Sequence, residues 1–180
     1  MYKHNWLMIP ALIVPAAIMA PAFAMQYQTL EQAQQALFPQ AAQFVRADII
    51  ITPELRQKIE KASNVRVRNT LQQVWRAEAG GKTLGWFVLD EVIGKHEFIT
   101  YVVALLPDGE VKGIDILDYR ETHGSEIKNE KWRAQFIGKK EGDDFKLDED
   151  IKNISGATLS CKNISNGVKR IVATFQVAMK

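Results

Sequence analysis

Three hydrophobic segments joined by short turns lie in the middle of the chain, and they constrain its fold more than any other feature. Residues 84–92, 98–106 and 111–119 are rich in β-branched and aromatic side chains. The last two are separated by Pro107-Asp108-Gly109, in which proline fixes φ and glycine accepts a positive φ, as tight turns require. Strands of this length joined by short turns predict an antiparallel sheet.

Helical signals flank the strands. Thr29 precedes a stretch rich in glutamine and alanine that predicts a capped helix over 29–37, and Thr52-Pro53-Glu54 opens a second helix. Apolar residues recur at helical spacing from 160 to 179, which predicts a C-terminal amphipathic helix. We therefore predict an α+β fold, with an antiparallel sheet and helices packed on one side. Less regular segments are a strand over 70–78, a strand or extended link over 41–51, and a short helix that contains Trp132 and ends near Gly138.

The N-terminal residues have the order of a secretory signal peptide. Lys3 and His4 precede an apolar run from residue 6 to 20, and Ala22-Phe23-Ala24 forms an A-x-A cleavage motif. A transmembrane helix, the alternative, needs about 20 apolar residues, whereas this run is shorter and is interrupted by prolines. We expect a signal peptide over 1–24, cleavage after Ala24, export to the periplasm, and a single domain over residues 25–180.

The charge and cysteine content exclude several classes of function. With 23 basic and 21 acidic residues and no basic stripe, the chain lacks the pattern of a nucleic-acid-binding protein. Cys161 is the only cysteine, so neither an intramolecular disulfide nor a cysteine-ligated zinc, haem or iron–sulfur site is expected. No set of three or four convergent ligands indicates another metal site. A redox function would therefore require an organic cofactor.

A run of small and hydroxyl residues directly precedes the C-terminal helix and forms the main candidate site. Unpaired N–H groups and the dipole at a helix start attract phosphate, and glycine and alanine let the backbone approach it closely. The alternative is an ordinary helix cap provided by a serine or threonine. The run comprises Ser155, Gly156, Ala157, Thr158, Leu159 and Ser160.

The sequence Ser155-Gly156-Ala157-Thr158 followed by a helix resembles the flavinylation motif of the FMN-binding domain family. This family includes the C subunit of the sodium-pumping NADH:quinone reductase and the G subunit of the Rnf complex, and the chain is most similar to its single-domain periplasmic members. The resemblance implies that Thr158 carries FMN through a phosphoester bond, which a flavin transferase installs from FAD. Ser160 is an alternative acceptor hydroxyl, although the motif register favours Thr158.

Two further segments agree with the family, and the likeness extends over about residues 84–175. The segment from Tyr119 to Gly124, together with residues 132–139, resembles the family stretch E-T-x-G…W…F-x-G-K. Gly94-Lys95-His96 precedes the strand at 98–106, as in single-domain members. The chain departs from the family pattern at Asn153, where an acidic residue is usual five positions before the threonine, and at His123, where proline is frequent.

The resemblance implies which side chains surround the cofactor, and each has a plainer alternative. Trp132 and Phe136 are candidates for the walls around the isoalloxazine ring, or are ordinary core residues. Glu121 and Thr122 contact polar atoms of the flavin, or belong to a loop turn. The lysines near the site neutralise the phosphate or the reduced flavin, or are solvated. The implied FMN-binding residues outside the run at 155–160 are Lys95, His96, Glu121, Thr122, His123, Gly124, Trp132, Phe136 and Lys162.

Together these features predict a periplasmic flavoprotein that transfers electrons, in which the flavin supplies the chemistry and the protein supplies binding and orientation. We expect an electron carrier more than a stand-alone catalyst, with a redox protein in the membrane or the periplasm as its partner. Two alternatives remain open. One is a protein that binds FMN without the ester, and the other is a cofactor-free binding or adaptor module of the same fold.

Overall fold

The computed structural model describes residues 28–179, so the signal peptide expected over residues 1–24 lies outside the described residues. In the described part, two short helices and two short strands precede four longer strands, and a long helix follows them. The helices are α1 Leu30–Leu37, α2 Pro53–Ser63, α3 Glu130–Arg133 and α4 Thr158–Ala178, with 3₁₀ turns at Ser125–Lys128 and Ala134–Phe136. The strands are β1 Gln43–Arg46, β2 Ile49–Ile50, β3 Leu71–Ala79, β4 Lys82–Ile93, β5 Phe98–Leu105 and β6 Val111–Tyr119.

The strand pairs of the sheet are all antiparallel, which confirms the type of sheet predicted from the sequence. The order is β1-β3-β4-β5-β6, and β2 pairs with the start of β3. Tight turns join the long strands at Gly80-Gly81 and at the predicted Pro107-Asp108-Gly109. β4 extends beyond β3 at one end, because its residues 90–93 pair with β5 alone.

Helices cover both faces of the sheet. Successive residues of a strand point to opposite faces, so each strand contributes side chains to two separate cores. α4 packs on one face, over a core that includes Val88 and Val103. α1 packs on the other face, against neighbouring strand residues such as Phe87 and Val102. The predicted α+β class is confirmed. The expectation that the helices share one side is wrong, since α1 completes a second core with Phe38 and the aromatic residues beneath it.

The two N-terminal helices begin at the threonines that the sequence indicated. Thr29 Oγ1 accepts a hydrogen bond from the Gln32 N–H, and Thr52 Oγ1 accepts one from the Leu55 N–H, each at 3.2 Å. Both caps satisfy an N–H that lacks a partner within its helix. α2 then packs against α4 through a small separate core, which consists of Ile51, Ile59, Val67 and Ala173.

α4 is fixed to the sheet by a buried ion pair. The Arg170 guanidinium donates to the Asp90 carboxylate, which also accepts a hydrogen bond from the Tyr101 hydroxyl. Gly167 allows this close approach, because a Cβ at that position would overlap the Tyr101 hydroxyl. α4 is 21 residues long and its buried stripe matches the amphipathic helix predicted from the sequence. Among residues 28–179, no helix has both the length and the apolar character needed to cross a membrane.

Candidate functional site

α4 begins without a side-chain cap, and this leaves the hydroxyl of Thr158 available. Ala157 occupies the cap position, and no side chain there accepts a helix N–H. Thr158 is exposed and is the first helical residue, two positions earlier than the sequence predicts. The N–H groups of a first helical turn have no partner within the helix, and the dipole adds about half a positive charge there. The alternative of a serine or threonine cap is therefore wrong, and the helix start keeps the donors that a phosphate needs.

The hydroxyl of Thr158 contacts Asn153, which the sequence marks only as a departure from the family pattern. Asn153 Nδ2 donates to Thr158 Oγ1 at 3.1 Å. Asn153 Oδ1 is buried and has no hydrogen-bond partner among residues 28–179. The Asn153 N–H donates in turn to Asp148 Oδ1 at 3.4 Å. The position at which the family usually has an acid therefore lies directly beside the expected acceptor hydroxyl.

Trp132 and Gln135 hold the backbone next to Asn153. Trp132 Nε1 donates to Lys152 O at 2.8 Å, and the Lys152 N–H donates to Gln135 Oε1 at 2.7 Å. The Trp132 ring packs edge-on against Phe136, with 5.2 Å between centroids. The two residues are 6% and 0% exposed, which leaves almost no ring surface for a cofactor. The structure thus shows the core packing given as their alternative, and they act on the site by fixing the loop that precedes α4.

Gly124 brings the segment from Tyr119 to Gly124 against the run at 155–160. It has a φ of +84°, and a Cβ at this position would overlap the Cβ of Ala157. Tyr119, at the end of β6, donates its hydroxyl hydrogen to His123 O and also forms a hydrogen bond with the Ser160 side chain. Burial raises the pKa of Tyr119 further above its ordinary value, so the phenol is a hydrogen-bond donor at neutral pH. The two motifs that the sequence analysis singled out therefore meet at the start of α4.

The Glu121 carboxylate is bound by backbone N–H groups of the turn at 94–97. Its Oε1 accepts hydrogen bonds from the N–H groups of Lys95, His96 and Glu97, the last two at 2.6 and 3.1 Å. Burial alone raises the pKa of this carboxyl, but the three donors outweigh it and the pKa is lowered. A Cβ at Gly94 would lie 2.5 Å from the same oxygen. Glu121 therefore fixes this turn, and its direct contact with a flavin stays a prediction.

The remaining residues expected around the cofactor lie near the start of α4, in the 121–124 segment or in the turn at 94–97. Thr122 Oγ1 is 2.9 Å from His123 Nδ1, and both side chains are exposed. Ser160 is buried, whereas Thr158 is open to solvent, so exposure favours Thr158 as the acceptor hydroxyl. The other exposed members are Ser155, Gly156, Leu159, Lys162, Lys95 and His96, and the buried ones are Ala157 and Gly124; their contacts with a cofactor stay predictions.

The structure adds neighbours that the sequence analysis did not identify. Asn163 Nδ2 donates to Ile93 O at 2.8 Å, which places the end of β4 beside the first turns of α4. Leu159 lies one turn before Asn163, on the same face of the helix. Ile93 pairs with Phe98 at the start of β5, and both are exposed. The spacing of four between Leu159 and Asn163 is the one sequence signal that indicates this face.

The chemistry of the side chains around α4 does not favour a metal or thiol site. Residues 28–179 contain no group of three or more His, Cys, Asp or Glu side chains that could hold a metal ion. Cys161 is buried within α4, and burial raises the pKa of its thiol, which disfavours the reactive thiolate. The distinctive feature of the site is the exposed hydroxyl beside open N–H donors.

The chain is similar in sequence to known proteins. Residues 94–173 match the family model of the FMN-binding domain. The chain is 29% identical over 125 residues to the G subunit of the proton-translocating ferredoxin:NAD(+) oxidoreductase complex of Clostridium ljungdahlii, covering 66% of this chain and 68% of the relative. It is 24% identical over 162 residues to the G subunit of the Na(+)-translocating ferredoxin:NAD(+) oxidoreductase complex of Acetobacterium woodii, covering 84% and 76%. It is 36% identical over 83 residues to the C subunit of the Na(+)-translocating NADH-quinone reductase of Pasteurella multocida, covering 37% and 32%.

The fold also resembles that of a solved structure. The crystal structure of Shewanella oneidensis NqrC superposes with a TM-score of 0.55 at 18% identity, covering 79% of this chain and 84% of that chain. This likeness supports the observed α+β arrangement. The family match spans the 94–97 turn, the 121–124 segment and the run at 155–160, the three segments that meet around the start of α4. The match over residues 94–173 and the similarity to these subunits therefore support the resemblance to the FMN-binding domain family, and they confirm FMN as the cofactor predicted from the sequence.

Proposed function

We propose that this chain is an exported electron-transfer protein that carries FMN through a phosphoester bond to Thr158 Oγ1. The observation that carries the proposal is the exposed Thr158 hydroxyl in an uncapped first helical turn. The open N–H donors and the dipole at this position suit a phosphoryl group. Gly156 has a φ of +81° and nothing within 4 Å of where a Cβ would lie, so there is room for a phosphate beside the backbone. The residues present thus fit the group.

Each residue of the site would have a separate task. Thr158 would act as a tether that prevents loss of the cofactor outside the cell, and the first turn of α4 would bind its phosphate. Gly124 and Ala157 set the distance between the two motifs, and Glu121 orders the turn at 94–97. Bound FMN supplies the electron-transfer chemistry, while the protein orients it and limits solvent access.

The attachment reaction that we propose conserves atoms and needs no further reactant. The Thr158 oxygen attacks the FMN phosphorus of FAD, the phosphoanhydride bond breaks, AMP leaves, and the hydroxyl proton is released. A flavin transferase would catalyse this step, since the described residues include no nucleotide-binding fingerprint for FAD. Nothing is oxidised or reduced at this stage.

The relatives support a redox partner in or near a membrane. Their names place them in ferredoxin:NAD(+) oxidoreductase and NADH-quinone reductase complexes. We propose that this chain likewise exchanges electrons with a membrane-bound or periplasmic redox protein, after export directed by residues 1–24. A non-covalent FMN protein is the second candidate, and Asn153 favours it because the usual acid beside the acceptor is missing.

Replacement of Thr158 tests the attachment site. We expect the wild-type chain, co-expressed with a flavin transferase, to gain the mass of FMN less one water and to fluoresce in a denaturing gel. Thr158→Ala should lose both signals, whereas Thr158→Ser should keep them because the hydroxyl remains. Ser160→Ala is the matched control and should be modified like the wild type. A fluorescent Thr158→Ala band after denaturation, or a wild-type chain that binds FMN only reversibly, would rule out the ester at Thr158.

Restoring the acid beside the acceptor should accelerate attachment. In Asn153→Asp, a carboxylate oxygen replaces the amide nitrogen that lies 3.1 Å from Thr158 Oγ1. A carboxylate accepts the hydroxyl proton, as a general base does, and such groups contribute about 10²-fold or more in rate. We expect a faster time course of FMN incorporation in the presence of purified transferase and FAD. Asn153→Ala removes the contact and is the control; equal rates for the Asp, Asn and Ala proteins would contradict a role for this position.

A further inference from the structure

A groove of about 900 Å³ lies beside the family site and is formed largely by residues outside it. One wall is the segment 64–73, which connects α2 to β3 and begins that strand. The opposite wall is the face of α4 from Asn163 to Arg170, and the end of β4 lies between them. Segment 64–73 precedes the family match at 94–173, and Thr158 does not line the groove. The family match therefore does not account for this wall.

The groove carries unpaired positive charge. Arg66 and Arg68 line it and are exposed, and residues 28–179 provide neither guanidinium with an ion pair or a hydrogen bond. Arg170 lies deeper and pairs with Asp90. Glu91 is the other carboxylate in the lining, so three arginines against two carboxylates give a formal charge of +1. Because Asp90 compensates Arg170, the groove offers its spare positive charge at Arg66 and Arg68.

Apolar side chains lie open in the same groove. Leu71, Ile93 and Phe98 are 45%, 37% and 57% exposed, and all three line it. Large apolar side chains grouped in a concave surface with a few polar groups are typical of ligand sites, whereas single exposed ones are ordinary. The volume falls within the range of about 300–1,000 Å³ seen for small-molecule pockets. The groove thus combines exposed apolar side chains with two free guanidinium groups.

Two backbone carbonyls at the base of the groove already accept hydrogen bonds from side chains. Residues 90–93 have no β3 partner, which would leave a free strand edge. However, Gln72 Nε2 donates to Leu89 O at 2.6 Å and Asn163 Nδ2 donates to Ile93 O at 2.8 Å. An extended peptide that paired with this edge would have to displace both bonds. The groove is therefore better suited to a ligand recognised by side chains.

We propose that this groove binds a small molecule with a flat apolar body and one oxyanion, such as a phosphate, carboxylate or sulfonate. The oxyanion would bind Arg66 and Arg68, whose guanidinium groups suit two-point hydrogen bonding to such oxygens. The apolar body would lie on Leu71 and Phe98. Thr158 does not line the groove, so binding there can be measured in a chain that carries no tethered flavin.

Calorimetric titration with three simple probes tests the proposal. The probes are 1-naphthyl phosphate, which has both the aromatic ring and the oxyanion, 1-naphthol, which has the ring alone, and inorganic phosphate, which has the anion alone. The protein is the Thr158→Ala chain, so that no tethered flavin contributes. We expect 1-naphthyl phosphate to bind at least about tenfold more tightly than either other probe, and Arg66→Ala/Arg68→Ala to weaken it by about tenfold or more. Lys58→Ala/Lys82→Ala removes the same charge outside the groove and should leave the affinity within about twofold.

Each other outcome overturns the proposal. Equal loss in the arginine and lysine variants would indicate a general charge effect, and equal affinity for 1-naphthol would remove the oxyanion requirement. Tight binding of inorganic phosphate alone would remove the apolar requirement, and no binding at millimolar probe would remove the site. Matching circular dichroism and unfolding midpoints establish that the variants fold. FMN incorporation into Arg66→Ala/Arg68→Ala with Thr158 intact should equal that of the wild type, so failure at the groove is distinguishable from failure at Thr158.

Discussion

Replacing Arg170 by methionine is expected to destabilise the protein by about 3–5 kcal/mol, because it leaves a buried carboxylate without its counter-charge. The side chains of Arg170 and Asp90 are 12% and 5% exposed, so water cannot compensate Asp90. Burial raises the pKa of Asp90, and the neighbouring guanidinium opposes that rise. Methionine retains much of the apolar stem of arginine and its packing. The loss in free energy of unfolding therefore measures the effect of removing the positive charge. Urea unfolding at pH 7.5 measures it.

The pH dependence and a double variant distinguish this cause from a packing defect. Without Arg170, the pKa of Asp90 in the folded state rises further above its unfolded value. A carboxyl with a raised folded pKa binds its proton more readily in the folded state, so acidification favours folding of the variant. The deficit relative to the wild type should therefore shrink between pH 7.5 and pH 5. Asp90→Asn/Arg170→Met should recover most of the stability, since a neutral amide can still accept from Tyr101. A deficit that is unchanged by pH and by the second substitution would contradict the explanation.

Elements encoded by neighbouring residues were predicted accurately from the sequence. Thr29 and Thr52 cap their helices because a side chain bonds an N–H only three residues ahead. The turn at residues 107–109 follows from the intrinsic φ preferences of proline and glycine. In contrast, the pairing of Asp90 with Arg170 joins residues 80 apart and has no local signature. The side of the sheet that α1 covers likewise depends on contacts with distant strands.

The composition of the site was more predictable than the task of each side chain. The sequence indicated that the run at 155–160 and the 121–124 segment belong together, and the structure shows Gly124 against Ala157. It did not show that Glu121 bonds three backbone N–H groups, since a carboxylate suits a flavin edge and a turn equally. The sequence also did not distinguish whether Trp132 lies against the isoalloxazine ring or in the core. Only the burial of that ring and its bond to Lys152 do so.

Replacing Gly124 by alanine is expected to combine two costs at the point where the motifs meet. The φ of +84° costs a residue with a Cβ about 1–2 kcal/mol. The new Cβ would also overlap Ala157 and lie 2.9 Å from the Tyr119 hydroxyl, and overpacking of this kind costs about 1–3 kcal/mol more. Relief of the overlap requires Ala157, the residue before the acceptor, to move. We therefore expect both a lower free energy of unfolding and slower FMN incorporation.

Gly142→Ala separates the backbone strain from the overlap. Gly142 has a φ of +95°, close to that of Gly124, but nothing lies within 4 Å of where its Cβ would be. Gly142→Ala should therefore lose only the free energy that a positive φ costs a residue with a Cβ, about 1–2 kcal/mol. It should accept FMN at the wild-type rate. Denaturant unfolding and the time course of FMN incorporation, measured side by side, give both comparisons. If the two alanine variants lose equal stability and accept FMN equally fast, the contact between Gly124 and Ala157 does not set the geometry of the acceptor. If Gly124→Ala alone is impaired in both, the absence of a side chain at this glycine is what allows the 121–124 segment to position the start of α4.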